Sequence, residues 1–251
     1  MSVLKIVAII AVIVLVVIIL NYLFKDNHTL SKVVDAKQMT EIPSSDLEQN
    51  DEIPSSNFAY SIWFYINDWN YKYGKEKIIF GRMGAPTAAS SNGELSGVNP
   101  CPVVSLGKIE NNITVSIGCY PGTTDASAPA DTTNTVVHSC TLNNVPIQRW
   151  VNLVMSVYGR TVDLYLNGKL VKTCLLPGVA SVNGKSNLYL TPMGGFDGWT
   201  SKLQYYADSL NPQDAWNIYS KGYSSWFKTF NSYQLQISLV ENGTEQGTVV
   251  I

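Results

Sequence analysis

The chain divides at residue 25 into one long apolar segment and a region where short apolar stretches alternate with polar residues. Residues 6–24 contain no charged side chain and lie between Lys5 and Lys25. A helix of this length would be roughly 28 Å long, close to the hydrocarbon core of a bilayer at about 30 Å. Because a helix also pairs its own backbone groups within lipid, residues 1–25 are predicted to form a transmembrane anchor.

The two ends of this segment favour a retained anchor over the alternative, a cleaved signal peptide. The apolar run starts at Ile6 and ends with Tyr22, Phe24 and Lys25, and no small-x-small cleavage site follows it. Rings such as those of Tyr22 and Phe24 are typical of the lipid–water interface, and a flanking lysine extends toward water. Lysines stand on both sides of the segment, so the positive-inside rule does not decide its orientation.

A polar region, residues 26–57, follows the anchor. It contains a short duplication, because the sequence Glu-Ile-Pro-Ser-Ser at 41–45 recurs at 52–56. Proline ends strands and serine favours turns, so each copy is expected to close a short edge segment. A first short strand is expected within residues 33–39. The rest of this region is predicted to be a stalk between the membrane and the folded domain.

From residue 58 the pattern changes to short stretches with a period of two. Phe58, Tyr60, Ile62, Phe64 and Ile66 alternate with other residues, which places them on one face of a strand. Phe64, together with Trp63 or Trp150, is expected in the core. Many short strands with turn residues between them predict an all-β, antiparallel two-sheet sandwich or jelly roll. Strands are predicted at 58–66, 77–82, 103–109, 113–120, 136–142, 150–158, 161–166, 169–173, 186–191 and 199–206.

One short helix is predicted near the end of this domain. Asn211 is a good N-cap, Pro212 fits the first helical position and Gly222 fits the C-terminal end. Its apolar face is expected to contain Ala215, Trp216, Ile218 and Tyr219.

The C-terminal region, residues 223–251, is predicted to form a β-hairpin extension. Residues 234–240 and 248–251 alternate, and Asn242-Gly243 between them is a strong turn signal. An isolated hairpin is marginally stable in water, so it is expected to pack on the domain or on a neighbour.

The charge of the chain argues against nucleic acid as a partner. The chain carries 17 basic and 19 acidic residues, for a net charge of −2, so no basic surface for nucleic acid is expected. Only 14% of the residues are charged, against about a quarter in typical soluble domains. The apolar anchor accounts for part of this deficit. The remainder suggests that a partner covers part of the domain surface.

Four cysteines permit three complete pairings. No Cys-x-x-Cys unit is present and the chain has only two histidines, so a zinc site is not expected. Cys101 and Cys119 are equidistant from Glu110, the centre of a predicted hairpin, so they are expected to face each other and to form a disulfide. Cys140 and Cys174 would then pair. The alternative is four buried free thiols.

Two segments resemble a known fold family. Residues 148–170, in which Trp150 starts a strand and Asn167-Gly168 forms a tight hairpin, resemble the central motif of laminin-G-like, concanavalin A-like jelly rolls. Residues 195–219 resemble the closing strand and short helix of that family. The resemblance covers residues 58–222 and implies the same sandwich that the alternation predicts.

A narrower likeness concerns residues 67–74, directly after the first long strand. This segment resembles the version of the domain encoded by large DNA viruses of algae and protists, which often joins the jelly roll to an N-terminal membrane anchor. The resemblance implies a single-pass protein of the virion, located between internal membrane and capsid. Its expected partners are the lipid bilayer and other capsid or virion membrane proteins.

Catalytic residues are not predicted. Retaining glycosidases need two carboxylates about 5–5.5 Å apart, and no strand here carries a Glu-x-Asp-x-x-Glu pattern. Cysteine hydrolase chemistry needs a histidine as general base. His138 and Cys140 are two residues apart, a spacing that more often means neighbours on one sheet face. No cofactor is predicted, and the expected function is not enzymatic.

Two kinds of binding residue remain. Asp68, Asp125 and Asp197 are weak candidates for calcium, which prefers six to eight oxygen ligands, although turn and capping roles are the simpler interpretation. Loop aromatics are candidates for contacts with glycans or with a protein partner. These candidates are Trp69, Tyr71, Tyr73 and Trp199. The resemblance to the viral domains makes a structural minor capsid protein the first hypothesis, and the loop aromatics make a membrane-anchored lectin the alternative.

Overall fold

The structure, a computed structural model, describes residues 28–47, 56–86, 99–121 and 135–224, the single residue Leu15, and the backbone of two strands between residues 236 and 250. The predicted anchor, with its end residues Ile6, Tyr22, Phe24 and Lys25, lies outside these residues, as does Asp125. Within the described part of the chain, no helix combines the length and hydropathy that a membrane span requires.

The regular secondary structure of the described residues is almost entirely β-strand. Between residues 28 and 224 the described residues contain one α-helix, α1 (Pro212–Ser220), and two short 3₁₀ turns at Ser44–Asp46 and Pro192–Gly194. In chain order the strands are β1 (Val34–Asp35), β2 (Thr40–Ile42), β3 (Phe58–Asp68), β4 (Lys77–Arg82), β5 (Val103–Leu106), β6 (Ile113–Cys119), β7 (Val136–Leu142), β8 (Trp150–Tyr158), β9 (Thr161–Leu166), β10 (Lys169–Leu175), β11 (Leu188–Leu190), β12 (Asp197–Tyr206), β13 (Gln236–Glu241) and β14 (Thr244–Val250).

Two six-stranded antiparallel sheets pack face to face. Sheet A has the order β1-β12-β3-β8-β9-β10, and sheet B has the order β2-β11-β4-β5-β6-β7. This arrangement confirms the predicted all-β, antiparallel two-sheet sandwich. We call the end of the sandwich with Asp68 and Asp197, which are paired across β3 and β12, the far end. The opposite end, with Phe58 and Tyr206, is the entry end.

The core lies between the inner faces of the two sheets. Phe58, Tyr60, Ile62, Phe64 and Ile66 of β3 all point into it, and each is 2% exposed or less. The period-two prediction for this strand, and the core position of Phe64, are therefore confirmed.

Trp63 and Trp150 are not part of this core. Trp63 alternates with Phe64 and so lies on the outer face of sheet A, although it is only 5% exposed. Trp150, which starts β8, is partly exposed. The expected burial of Trp63 is confirmed, but strand alternation places Trp63 and Trp150 on the outer face of sheet A and not between the two sheets.

Residues 28–47 belong to the sandwich and do not form a stalk. β1 extends sheet A, where Val34 pairs with Thr200 of β12. β2 extends sheet B, where Ile42 pairs with Leu188 of β11. Because these two short strands follow each other in the chain, they connect the two sheets along one side of the sandwich. The stalk prediction is therefore wrong for residues 28–47, because the few apolar residues of this segment, such as the buried Ala36, contact the core.

A disulfide closes the other side. Cys140 of β7 is bonded to Cys174 of β10, with their Cα atoms 6.2 Å apart. β7 and β10 are the last strands of sheets B and A, respectively. This predicted pairing is confirmed, and it ties together two edges that no loop connects directly.

The predicted disulfide between Cys101 and Cys119 is wrong, since both are buried free thiols. Leu106 pairs with Ile113, so the turn centre falls between residues 109 and 110 and not on residue 110. In this register Gly118, and not Cys119, lies opposite Cys101. The pairing is thus shifted by one residue from the predicted one. Adjacent residues of a strand point to opposite faces, so the shift removes the direct pairing.

Helix α1 packs on the outer face of sheet A. Asn211 forms a capping box with Asp214, as expected for an N-cap asparagine. The buried helix residues Ala215 and Ile218 contact Val154 of β8 and Tyr165 of β9.

The C-terminal strands form a separate hairpin. β13 pairs with β14 in antiparallel register, from Gln236 with Val250 to Glu241 with Thr244. β14 thus begins four residues before the start predicted at residue 248. Among the described strands, these two are hydrogen-bonded only to each other.

Candidate functional site

The outer face of sheet A carries a continuous line of aromatic side chains. It originates in the alternation of β3, which sends Phe64 and Ile66 to the core and therefore Trp63 and Tyr65 to the opposite face. The neighbouring strands β12 and β8 add Trp199 and Trp150 to the same face. The seven rings in contact, which we call the aromatic strip, are Trp199, Tyr65, Trp150, Tyr223, Trp63, Tyr219 and Trp216.

The contacts along the strip follow one order. Ring centroids are 5.5 Å apart for Trp199 and Tyr65, 5.8 Å for Tyr65 and Trp150, and 4.4 Å for Trp150 and Tyr223. The line then runs from Tyr223 over Trp63 to Tyr219 and Trp216 of α1 at 6.1, 5.6 and 5.7 Å. These separations are typical of favourable aromatic pairs.

Several members of the strip are open to solvent. Trp216 is 46% exposed, Trp199 is 43% exposed and Tyr223 is 37% exposed. These exposed rings are clustered through their contacts with further rings, and clustered exposed apolar side chains mark binding sites more often than scattered single residues do. The aromatic strip is therefore the candidate functional site.

Hydrogen bonds to the chain after α1 hold Tyr223 in the strip. Gly222 adopts a left-handed conformation with φ of 69°, which ends the helix and turns the chain back over sheet A. Ser201 Oγ donates to the carbonyl of Tyr223 at 2.6 Å, and Lys202 Nζ donates to the carbonyl of Gly222 at 2.7 Å. These bonds place the Tyr223 ring on Trp150.

A group of polar side chains lies at the far end of the strip. Asp197 forms an ion pair with Lys37 and accepts a hydrogen bond from Asn67 Nδ2 at 2.8 Å. The hydrogen bond from Lys37, followed by that from Asn67, lowers the pKa of Asp197 below its usual value. The same hydrogen bond raises the pKa of Lys37. We call Lys37, Asn67 and Asp197 the polar group.

The structure separates the four predicted loop aromatics. Trp69 packs against the core, and its Nε1 donates to the carbonyl of Ile109 at 2.8 Å. Tyr71 donates to the carbonyl of Gly194 at 3.1 Å. Tyr73 is 57% exposed, and only Trp199 belongs to the aromatic strip.

The calcium candidates Asp68 and Asp197 come together at the far end but have protein partners. Asp68 Oδ1 accepts the backbone N–H of Asn70 at 2.9 Å, as in an Asx turn. Asp197 is bound to Lys37 and Asn67 of the polar group. Among the described residues, no cluster of three His, Cys, Asp or Glu side chains is arranged to hold a metal. Asp125 lies outside the described residues.

The pair His138 and Cys140 does not form a nucleophile and base. The sulfur of Cys140 is bonded to Cys174, so it carries no thiol. His138 lies on β7 opposite Ile117.

Most of the aromatic strip was not among the sequence candidates. Its rings come from β3, β8, β12 and α1, and only the strand order of sheet A brings them together. One signal was present in the sequence, because Trp63 and Tyr65 alternate with core residues of β3. Aromatic residues on both faces of a strand indicate that its outer face is also covered or bound.

Comparison with known proteins supports the fold alone. No protein-family model and no curated protein matches the chain. The receptor binding domain of botulinum neurotoxin D has 12% sequence identity and a TM-score of 0.51, over 76% of this chain and 44% of that one. A tryptophan-to-alanine mutant of HCR/D gives the same identity and TM-score, over 76% of this chain and 42% of that one. The chain therefore matches less than half the length of either structure. These similarities support a jelly-roll-like β-sandwich fold.

Proposed function

We propose that this protein is a non-enzymatic, membrane-anchored structural protein. In this role the apolar segment 6–24 holds it in the internal membrane of a large icosahedral DNA virus, and the sandwich binds a protein of the capsid shell. The protein would thus be a minor capsid protein that links membrane and shell. The observation that carries the binding part of this proposal is the exposed aromatic strip.

The chemistry of the strip favours a protein partner. Tryptophan and tyrosine are enriched among the residues that contribute most to protein–protein affinity. Trp199 and Trp216 stand at the two ends of the strip, and each has more than two fifths of its surface exposed. The low share of charged residues, 14% of the chain, also fits a domain with covered surface.

A membrane-anchored lectin is the second candidate. The observation that favours it is the position of Trp199 on the outer face that also carries the polar group at the far end. Sugar rings stack on exposed aromatic faces, while carboxylates and amides bind their hydroxyl groups. Asp197 and Asn67 offer those groups, although they are hydrogen-bonded to each other.

Imaging of the native particle tests the first proposal. Cryo-electron microscopy is expected to show the two-sheet sandwich between membrane and shell, with Trp199 or Trp216 in contact with a shell protein. A Trp199→Ala/Trp216→Ala double variant is expected to incorporate poorly. Leu170→Ala changes a 49% exposed apolar residue outside the strip and is expected to incorporate normally.

Two results would overturn this assignment. Purified particles that lack the protein would exclude a capsid role. Saturable binding of the full-length protein to a glycan array, lost in Trp199→Ala and kept in Leu170→Ala, would favour the lectin instead.

A further inference from the structure

The chain enters the sandwich at one defined end. Thr29 forms a β-bridge with Gln204 of β12. One residue earlier, the His28 ring stacks on Tyr206 with centroids 4.4 Å apart, and its Nδ1 lies 3.1 Å from the carbonyl oxygen of Tyr205. Because this segment runs antiparallel to β12, His28 lies beside Tyr206 at the entry end.

The distance from this point to the predicted anchor is short. Only residues 25–27 separate His28 from Phe24, the last residue of the apolar segment. Four residue steps span at most about 14 Å even when fully extended. If the anchor crosses a bilayer, the entry end of the sandwich must therefore lie close to its surface.

The far end lies one full strand length from the entry end. β12 runs from Tyr206 at the entry end to Asp197 at the far end, over ten residues. At about 3.3 Å per residue this strand adds roughly 33 Å. The polar group and Trp199 lie toward the far end, and so does the loop that contains Tyr73.

The entry end carries two of the most exposed large apolar side chains among the described residues. Tyr158 ends β8 and is 68% exposed, and Leu175 ends β10 and is 67% exposed. Both are paired with Thr161 across the neighbouring strands, so they lie at the same end of sheet A. β8 is two strands from β12, a lateral distance of about 10 Å. Arg160, in the turn after Tyr158, adds a positive charge to this end.

We infer that the entry end of the sandwich contacts the lipid surface, with Tyr158 and Leu175 in the interfacial layer and the far end directed away from the membrane. The inference rests on the membrane anchor of the proposed function. A tyrosine beside an arginine is typical of the membrane–water interface, where the ring contacts acyl chains and the hydroxyl stays hydrated. In this orientation the polar group and Trp199 face a partner on the side opposite the bilayer.

Two tyrosines provide a matched test of this orientation. Tyr158 at the entry end and Tyr73 at the far end are exposed to a similar degree, 68% and 57%. Each is replaced by cysteine in the full-length protein and labelled with a fluorescent donor. The remaining free thiols among the native cysteines, Cys101 and Cys119, are buried and so protected from the label. The proteins are reconstituted into phosphatidylcholine vesicles that contain a headgroup-labelled acceptor.

Energy transfer to the lipid acceptor is expected to be severalfold greater from position 158 than from position 73. Equal transfer from both positions, or greater transfer from position 73, overturns the orientation. Leu175→Cys is the second reporter for the entry end and must agree with Tyr158→Cys. Retention of the Cys140–Cys174 disulfide in each variant verifies the fold.

Flotation of the same vesicles separates this inference from the proposed function. Full-length protein that does not float with vesicles contradicts the anchor itself, and with it both proposals. Protein that floats but gives the reversed transfer pattern contradicts the orientation alone and leaves the anchor intact.

Discussion

Trp150 and Tyr223 stack face to face, with ring centroids 4.4 Å apart and ring planes 9° from parallel. Tyr223 follows α1 in the chain, whereas Trp150 starts β8, far earlier in the sequence. The stack therefore fixes the chain after the helix onto sheet A. It also completes the aromatic strip, since Tyr223 bridges Trp150 and Trp63.

Replacement of Tyr223 by alanine is expected to break the strip at its centre. Aromatic pairs contribute about 0.5–1.5 kcal/mol beyond the area they bury, so the free energy of unfolding should fall by roughly 1–2 kcal/mol. The measurement is guanidinium unfolding of the full-length protein in detergent, followed by tryptophan fluorescence. Acrylamide quenching in the native state should rise as Trp150 becomes exposed. Tyr73→Ala, an exposed tyrosine outside the strip, is the control and should change neither value.

The fold followed from the sequence wherever a local pattern determines structure. The alternation of β3 and the cap at Asn211 depend on residues within a few positions of each other, and both predictions agree with the structure. The register of the β5–β6 hairpin could not be predicted from such a local pattern. Its six-residue loop, 107–112, allows more than one centre, and a period-two pattern alone does not select between them.

The candidate site was harder to predict because it depends on strand order. Trp199 and Tyr65 are far apart in sequence, and they meet only because β12 and β3 are neighbours in sheet A. Trp69 and Tyr71 were predicted as partner contacts because they lie in a loop. In the structure their polar atoms bond to the backbone of Ile109 and Gly194, so these rings mainly stabilise the far end.

The Cys140–Cys174 disulfide is expected to stabilise the sandwich strongly. It closes a loop with a sequence separation of 34 residues, for which the chain-entropy model gives about 4 kcal/mol. A Cys140→Ser/Cys174→Ser double variant should lose roughly 2–5 kcal/mol of unfolding free energy in denaturant titrations. A loss below the experimental error would mean that the edges of β7 and β10 are held together by other contacts, such as the bond from Lys172 to the carbonyl of Thr141.

The two free thiols are expected to be unreactive in the folded protein. Burial raises the pKa of Cys101 to about 12 and that of Cys119 to about 11. Only the thiolate reacts with disulfide reagents, so a thiol assay in mildly alkaline buffer should detect neither cysteine in the native state. In guanidinium both should react. Peptide mapping without reductant should find Cys140 linked to Cys174, and a link between Cys101 and Cys119 would contradict the structure.

Lys77 is expected to destabilise the fold at neutral pH. Its side chain is 1% exposed, and its Nζ has no hydrogen-bond partner but lies 4.5 Å from the centroid of the Trp69 ring. An unsatisfied buried donor costs about 1–3 kcal/mol, more when charged, and the contact with the ring offsets part of this. Lys77→Met should therefore raise the unfolding free energy by roughly 1 kcal/mol or more. Lys75→Met, at an exposed position, is the matched control.

The stability difference between Lys77→Met and wild type is expected to change with pH in a defined direction. Burial lowers the pKa of Lys77 from its ordinary value of 10.5. Between the folded pKa and 10.5 the unfolded chain binds more protons than the folded protein, so stability rises with pH in this window. The advantage of Lys77→Met over wild type should thus be greatest at neutral pH and shrink as the pH approaches 10.5. An advantage that grows with pH would show that Lys77 is stabilised as a cation.

The C-terminal hairpin provides the last prediction. β13 and β14 are hydrogen-bonded to each other and to no other described strand, and a lone two-stranded hairpin is marginal in water. Its free edges can therefore extend a sheet of a neighbouring subunit, as in β-strand addition. Deletion of residues 231–251 should leave the Cys140–Cys174 disulfide and the cooperative unfolding of the sandwich unchanged, while incorporation into particles is lost. Normal incorporation of the truncated protein would contradict the assembly role. Loss of cooperative unfolding would instead place the hairpin in the folding unit of the sandwich.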